Sequence, residues 1–462
     1  MSDPTVRMTL ASRHSTAEWQ ALDQAHYLHP FTNGAALHAT GARIIARADG
    51  VWLWDSEGHR LLDGMAGLWC VNIGYGRREL VDAAAAQLQE LPYYNSFFKT
   101  ANPPALALAA LLAEVTPAGF EHVFFTSSGS EAVDTVVRMV RHYWAARGEP
   151  QRDVIIGRWH GYHGSTLAGA SLGGMPAMHA QGGLPLPGFV HIDPPYWYGL
   201  GGDDTPEAFG LQAADWLERK ILEIGPARVA AFVGEPVQGA GGVIIPPSTY
   251  WPAVERICRR HGVLLVADEV ICGFGRTGRW FGCETFGFTP DLMTLAKGIS
   301  SGYLPLGGVM VTRHVADVLN AGGEFFHGYT YSGHPACCAV GEVNVRLLRD
   351  EGIVARVGTT LGPYFGAALA TLGDHPLVGE VRSVGLIAGL ELVQDKRTRA
   401  RFAPLGEVGT RCRDICLREG LVMRAVGDTM VLAPPLVITR EEIDELVRRA
   451  RRCLDLTADA IG

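Results

Sequence analysis

Short, continuously apolar runs recur through the middle of the chain and alternate with stretches in which apolar residues return every three or four positions. Val123-Phe124-Phe125-Thr126, Val154-Ile155-Ile156, Val229-Ala230-Ala231-Phe232-Val233, Val263-Leu264-Leu265-Val266-Ala267 and Leu292-Met293-Thr294-Leu295 are short and lack the polar alternation of a half-exposed strand. They predict strands buried on both faces of a parallel sheet. Between them, residues 132–146 set Val133, Val136, Val137, Val140 and Trp144 at helical spacing, the clearest amphipathic pattern in the chain. This alternation predicts an α/β sheet with helices on both faces. Ahead of it, Ile44-Ile45-Ala46 and Val51-Trp52-Leu53-Trp54, punctuated by Asp49-Gly50 and Glu57-Gly58, predict a small hairpin unit. Beyond residue 332 the pattern changes to a second α+β unit, with a helix over 339–348, a strand over 386–392 and an amphipathic helix over 441–454. Residues 199–205 read as a surface loop, and no internal repeat occurs.

Bulk properties narrow the function. At 462 residues the chain is long enough for two or three compact units. No stretch approaches the ~20 consecutive apolar residues of a membrane span. The start, residues 1–20, lacks the basic head and apolar run of a secretion signal, so a cytoplasmic location is expected. A formal net charge of −8 argues against nucleic acid and mildly favours a cationic substrate. The nine cysteines include no C-x-x-C pair, so free thiols are expected and a zinc knuckle is not.

Lysine usage is the most informative compositional fact: of 40 basic residues only Lys99, Lys220, Lys297 and Lys396 are lysines. Lys220 and Lys396 stand in charged, solvated contexts. Lys297 follows an apolar strand, where α/β proteins place ligands, and a desolvated lysine is a nucleophile for carbonyls. Asp268 ends another such strand and Glu269 follows, which predicts two carboxylates at the mouth of one sheet. A buried acid needs a positive or hydrogen-bonding partner, and a protonated pyridine nitrogen is one; a salt bridge or helix cap is the plainer alternative. Ser127-Ser128-Gly129-Ser130-Glu131, between strand and helix, predicts a helix N-terminus able to hold a phosphate. Gly273-x-Gly275-x-x-Gly278 matches the dinucleotide fingerprint in spacing, but Arg276-Thr277-Gly278-Arg279 opens no helix pattern. His160 and His163 lack companions at metal-ligand spacing, which argues against a metalloenzyme.

Taken together, Ser128-Gly129-Ser130, Gly161-Tyr162-His163-Gly164, Glu235-Pro236-Val237-Gln238-Gly239, Asp268-Glu269-Val270, Lys297 and the run from Gly328-Tyr329-Thr330 to His334-Pro335 resemble the class III aminotransferases. Within them the chain looks most like omega-amine transaminases that use putrescine or polyamines with pyruvate, through Leu68-Trp69-Cys70, Pro92-Tyr93-Tyr94-Asn95 and Met423-Arg424-Ala425-Val426-Gly427-Asp428. The resemblance implies the type I fold of pyridoxal-5'-phosphate enzymes: a large domain with a mainly parallel seven-stranded sheet, and a smaller α+β domain built from both chain ends. Residues 1–80 and 333–462 would form the small domain and 81–332 the large one. It implies Lys297 as Schiff-base lysine and general base, and Asp268 against the ring nitrogen. Ser128, Gly129, Ser130, Tyr162, His163, Glu235, Val270, Ile271 and Thr330 would bind the cofactor, Thr330 reaching the phosphate of a partner subunit. Phe31, Trp69, Phe97, Tyr162, Ala240 and Arg424 would meet substrate. The expected partners are small amines and pyruvate, in a homodimer or homotetramer with its active site at the dimer interface.

Two positions depart from relatives that act on γ-aminobutyrate or ornithine. Those relatives carry an acid where Ala240 stands, which leaves Arg424 without a neutralising neighbour, and Gln where Ile271 stands. β-Alanine or taurine transamination, decarboxylation, aminomutation and a non-catalytic protein of the same fold are the alternatives.

Overall fold

The computed structural model describes residues 13–462; the first 12 residues, which carry most of the segment read above for a secretion signal, lie outside the described residues. A seven-stranded sheet forms the centre: β1 (Phe120–Thr126), β2 (Val154–Arg158), β3 (Phe189–Ile192), β4 (Val229–Gly234), β5 (Leu264–Asp268), β6 (Leu292–Leu295) and β7 (Gly307–Thr312), in the order β1-β7-β6-β5-β4-β2-β3. From β6 through β5, β4 and β2 to β3 the pairing is parallel, and β7 is antiparallel to both of its neighbours. All residues of β2, β4, β5, β6 and β7 are buried, as strands covered on both faces of a parallel sheet are.

The helix predicted over 132–146 begins three residues earlier, as α1 (Gly129–Ala146). Ser128 caps it, its Oγ accepting from Glu131 N at 3.2 Å, while Glu131 Oε2 accepts from Ser127 N at 2.6 Å. Val133, Val136, Val137, Val140 and Trp144 pack onto Ile155, Val233, Val266 and Val309 of the sheet. Each such side chain contributes roughly 1.5–3 kcal/mol relative to exposure. The other face is covered by α2 (Pro206–Ile224) and α3 (Tyr250–His261), where Trp251 stacks on Phe288 at 4.2 Å.

β3 and β7 were not expected. His191 interrupts the apolar pattern of the first, and the second opens on Gly307-Gly308 behind a proline, so neither shows the apolar run that marks its neighbours.

The strands Ile45–Asp49, Trp52–Asp55 and Arg60–Asp63 form the expected antiparallel unit, and Leu421–Val422 adds to it in parallel, with Leu421 opposite Leu62 and Val422 opposite Asp63. Distant parts of the chain therefore share one sheet. A further antiparallel sheet orders Val378–Val384, Ile387–Leu392, Thr429–Leu432 and Arg424–Val426 side by side. The chain ends in α4 (Arg440–Ile461), opened by a Thr439–Glu442 capping box and burying Ile443, Leu446, Ala450, Cys453 and Leu454. Among the described residues no helix is long and apolar enough to cross a membrane.

The glycine fingerprint at 273–278 has a packing role. Gly275 and Gly278 take φ of +96° and +93°, and Arg276 between them is fully buried, donating to the carbonyls of Leu386 and Pro434 and to Asn72 Oδ1. The loop ties the central sheet to the C-terminal region and starts no helix of the dinucleotide kind.

Candidate active site

A cavity of about 350 Å³ opens at the carboxyl ends of β1, β2, β4, β5 and β6, the edge at which sheets of this kind hold ligands. Ser127, Ser128, Gly129, Ser130, Tyr162, His163, Glu235, Asp268, Val270, Ile271 and Lys297 all line it. Lys297 and Asp268 come to it from adjacent parallel strands, where Asp268 pairs with Thr294 three residues before the lysine.

Asp268 is buried, which acts to raise its pKa. Three influences outweigh burial and hold the carboxyl below its ordinary value: a 2.6 Å hydrogen bond from His163 Nδ1, one of 2.9 Å from Thr294 Oγ1, and the nearby Lys297 amine. Burial lowers the pKa of Lys297. The cavity thus joins a carboxylate kept ionised to an amine biased toward its neutral form. Lys297 adopts φ +48°, a left-handed conformation unusual for a side-chain-bearing residue, at the strand-to-turn junction that sends its side chain into the cavity wall.

The anion end is equally defined. The N-terminus of α1 presents the backbone of Gly129 and Ser130, and Ser127 Oγ is buried with no hydrogen-bond partner. An orphaned buried hydroxyl beside a helix N-terminus calls for an acceptor from outside the protein. Space is kept for it: a Cβ on Gly164 would lie 2.6 Å from Ser130 Oγ, and one on Gly129 would press on Val270 at 3.2 Å. These features fit a flat ring carrying a phosphate at one end and a basic nitrogen at the other, with Tyr162 and Val270 on the walls.

Glu235 supports the wall from behind. Its Oε1 accepts from Tyr162 N at 3.0 Å and its Oε2 from Gly239 N at 2.9 Å, and burial pushes its pKa up. Glu269, expected beside Asp268 at the mouth, turns the other way and accepts from Gly282 N and Cys283 N at 2.8 and 2.7 Å. Adjacent residues of an extended chain point to opposite sides, so two carboxylates in a row serve two different places.

Several expected residues stand outside this cavity. Arg424 sits over the Trp69 ring with its guanidinium 5.0 Å from the ring centroid, and among the described residues it has no carboxylate or hydrogen-bond partner. Trp69 is buried while its neighbours Leu68 and Cys70 line the cavity. Phe31 is 74% exposed and meets Tyr162 edge-on at 6.2 Å. Ala240 is buried outside the cavity wall. Phe97 lines a separate groove with Phe124, Phe125 and Gly328, and Thr330, whose carbonyl accepts from Tyr93 Oη at 2.8 Å, does not line the Lys297 cavity.

Sequence reasoning missed Thr294, although a lone threonine in an apolar strand beside Asp268 was a usable signal. It also gave Ser127 Oγ and Cys70 no role. Leu304, Pro305 and Leu306, which complete the wall, carried no signal.

Comparison with known proteins agrees with this geometry. The family model described as "Aminotransferase class-III" matches residues 35–454. A putrescine–pyruvate aminotransferase of Pseudomonas aeruginosa is 60% identical over 446 residues, covering 96% of this chain and 98% of the relative. A diaminobutyrate–2-oxoglutarate transaminase of Halomonas elongata is 41% identical, covering 94% of each. Among solved structures, a thermostable (S)-enantioselective omega-transaminase from Thermomicrobium roseum superposes with a TM-score of 0.93 at 44% identity, covering 96% of this chain and 99% of the other. The omega transaminase of Pseudomonas jessenii in complex with PMP gives 0.94 at 40% identity, with the same coverage.

Proposed function

The chain belongs to the class III aminotransferases, and from that premise we propose that it moves an amino group from a primary amine, of the diamine, polyamine or omega-amino class, to pyruvate, releasing an aldehyde or ketone and L-alanine. The observation that carries the reading is the opening of Lys297 and Asp268 onto one cavity whose far end is a helix N-terminus with an orphaned serine hydroxyl. The 60% identity to a putrescine–pyruvate enzyme over nearly the whole chain supports the substrate class.

The cofactor is pyridoxal 5'-phosphate, which when bound supplies an electron-withdrawing ring that stabilises the negative charge left when a proton leaves the carbon bearing nitrogen. Lys297 would hold its aldehyde carbon and Asp268 its ring nitrogen. Ser127 to Ser130 would hold its phosphate, and Tyr162 and Val270 its two faces. Burial keeps a larger share of Lys297 unprotonated at neutral pH, so its Nζ is suited to take a proton from the substrate carbon and to return one. Asp268, ionised through His163 and Thr294, would keep a proton on the ring nitrogen of the bound cofactor. Arg424, a planar fork without a partner in the chain, receives the carboxylate of the keto acid. The apolar ring of Trp69 packs beneath it.

The same reading includes assembly and location. Phe97 and Thr330 stand away from their own chain's cavity, and Phe31 and Phe98 are 74% and 90% exposed. Both facts support a homodimer or homotetramer with the active site at the interface between copies, Phe97 and Thr330 serving the site of a second copy. All nine cysteines are free thiols, which suits the cytoplasm.

The test is a panel of amines assayed with pyruvate and scored by alanine formation, on the wild type and on Lys297→Ala. Diamines are expected to give alanine with the wild type, and the variant to lose both turnover and the visible absorbance of the bound cofactor. Carbon dioxide release, or turnover without any keto acid, contradicts the reading.

A further inference from the structure

We propose that Asp63 is a positioning residue for substrate selection, holding the turn from Met65 to Cys70 so that Trp69 lies under Arg424. The proposal rests on Arg424 being the receptor for the keto-acid carboxylate.

Asp63 ends the strand Arg60–Asp63 and is fully buried. Its Oδ1 accepts from Met65 N at 2.9 Å, and its Oδ2 accepts from Gly67 N and from Tyr75 Oη, both at 2.7 Å. The turn so held is unusual. Ala66, Gly67 and Trp69 take φ of +47°, +67° and +58°, two of them with side chains that disfavour the left-handed region. Backbone of this kind persists only where its surroundings over-determine it, and one carboxylate receiving two turn amides and a phenol is such a constraint. Tyr75 is itself anchored, exchanging backbone hydrogen bonds with Gly50 of the N-terminal unit.

What the turn delivers is three consecutive side chains. Leu68 and Cys70 line the Lys297 cavity, and Trp69 between them is buried beneath the Arg424 guanidinium. The Trp69 Nε1 is buried with no acceptor in the protein. A carboxylate gripped by Arg424 supplies one, so the orphan indole N–H and the unpaired guanidinium form one subsite for a small carboxylate. Asp63 controls both halves of it. It pairs across the sheet with Val422, two residues before Arg424, and it locks the turn that carries Trp69.

Asp63→Asn keeps the size of the side chain but places an amide N–H₂ against donors. It is expected to raise KM for pyruvate about tenfold, the scale of one lost charge-assisted hydrogen bond, with the amine half-reaction much less affected. Loosening the turn also frees its cysteine, so alkylation of Cys70 by iodoacetamide in the native protein, followed by peptide mass spectrometry, is expected to rise severalfold. Tyr75→Phe removes one of the three bonds and gives a smaller change of the same kind, which keeps the test available if the Asn variant fails to fold. Wild-type Cys70 reactivity in the variants overturns the proposal, as does a parallel rise in KM for amine and pyruvate. Arg424→Ala, measured alongside, separates the premises: an unchanged pyruvate KM there removes the carboxylate assignment, whereas altered Cys70 reactivity in the Asp63 and Tyr75 variants reads the turn alone.

Discussion

His163 Nδ1 donates to Asp268 Oδ2 across 2.6 Å inside the cavity, and both side chains are almost wholly removed from solvent. Thr294 Oγ1 and Val270 N donate to the other oxygen, Oδ1, so the carboxylate is held in one orientation in the cavity wall. Asp268→Asn removes that charge while preserving shape. The variant is expected to retain cofactor but to lose at least about a hundredfold in kcat, since general acid–base and ring-protonation effects operate on that scale. Stopped-flow absorbance of the amine half-reaction is the direct measure, and a variant within a few-fold of wild type removes Asp268 from its assigned place.

Ser127 offers a cleaner test of the phosphate end. Its hydroxyl bonds to nothing in the protein, so Ser127→Ala is expected to leave the melting temperature of the cofactor-free protein unchanged. The dissociation constant for pyridoxal phosphate is expected to rise about tenfold, the equivalent of one hydrogen bond to a charged group. Equal affinity in the two proteins means the hydroxyl serves no anion.

Arg424→Ala is expected to slow the pyruvate half-reaction by about ten- to a hundredfold, as loss of a bidentate carboxylate contact does, with little effect on amines. Single-turnover rates for the two half-reactions decide it. A variant that slows amines and spares pyruvate reverses the assignment.

Glu269 makes the fold itself pH-sensitive. Burial pushes its pKa from 4.5 up to about 7. A carboxyl whose pKa is higher in the folded state adds stability that is complete below 4.5 and is lost as pH rises toward 7. The change across that window is at most about 3 kcal/mol. Denaturant unfolding of wild type and Glu269→Gln at pH 5 and pH 7.5 is expected to show the wild type gaining on the variant at the lower pH. A difference that does not move with pH removes Glu269 as the source.

Much of this was legible in the sequence because burial on both faces leaves strands few polar residues. β4, β5 and β6 are continuous apolar runs that end in, or lead into, Glu235, Asp268 and Lys297. Where a strand breaks that habit, as His191 does in β3 and the glycine pair in β7, the pattern gives no sign. The side to which a residue points is also hidden: Asp268 and Glu269 are equivalent as letters and opposite in space. Contacts across long separations are harder still. Nothing local to Asp63 foretells Val422, and nothing local to Trp69 foretells Arg424.

The economy of lysine has a practical side. Lys297 is enclosed in the cavity wall, Lys220 is held by Glu223, and Lys396 is held by the carbonyls of Gly373 and His375, which leaves Lys99 as the exposed one. A reagent that couples to primary amines therefore meets very few handles on this protein, and the aldehydes its own turnover releases find little on its surface to condense with.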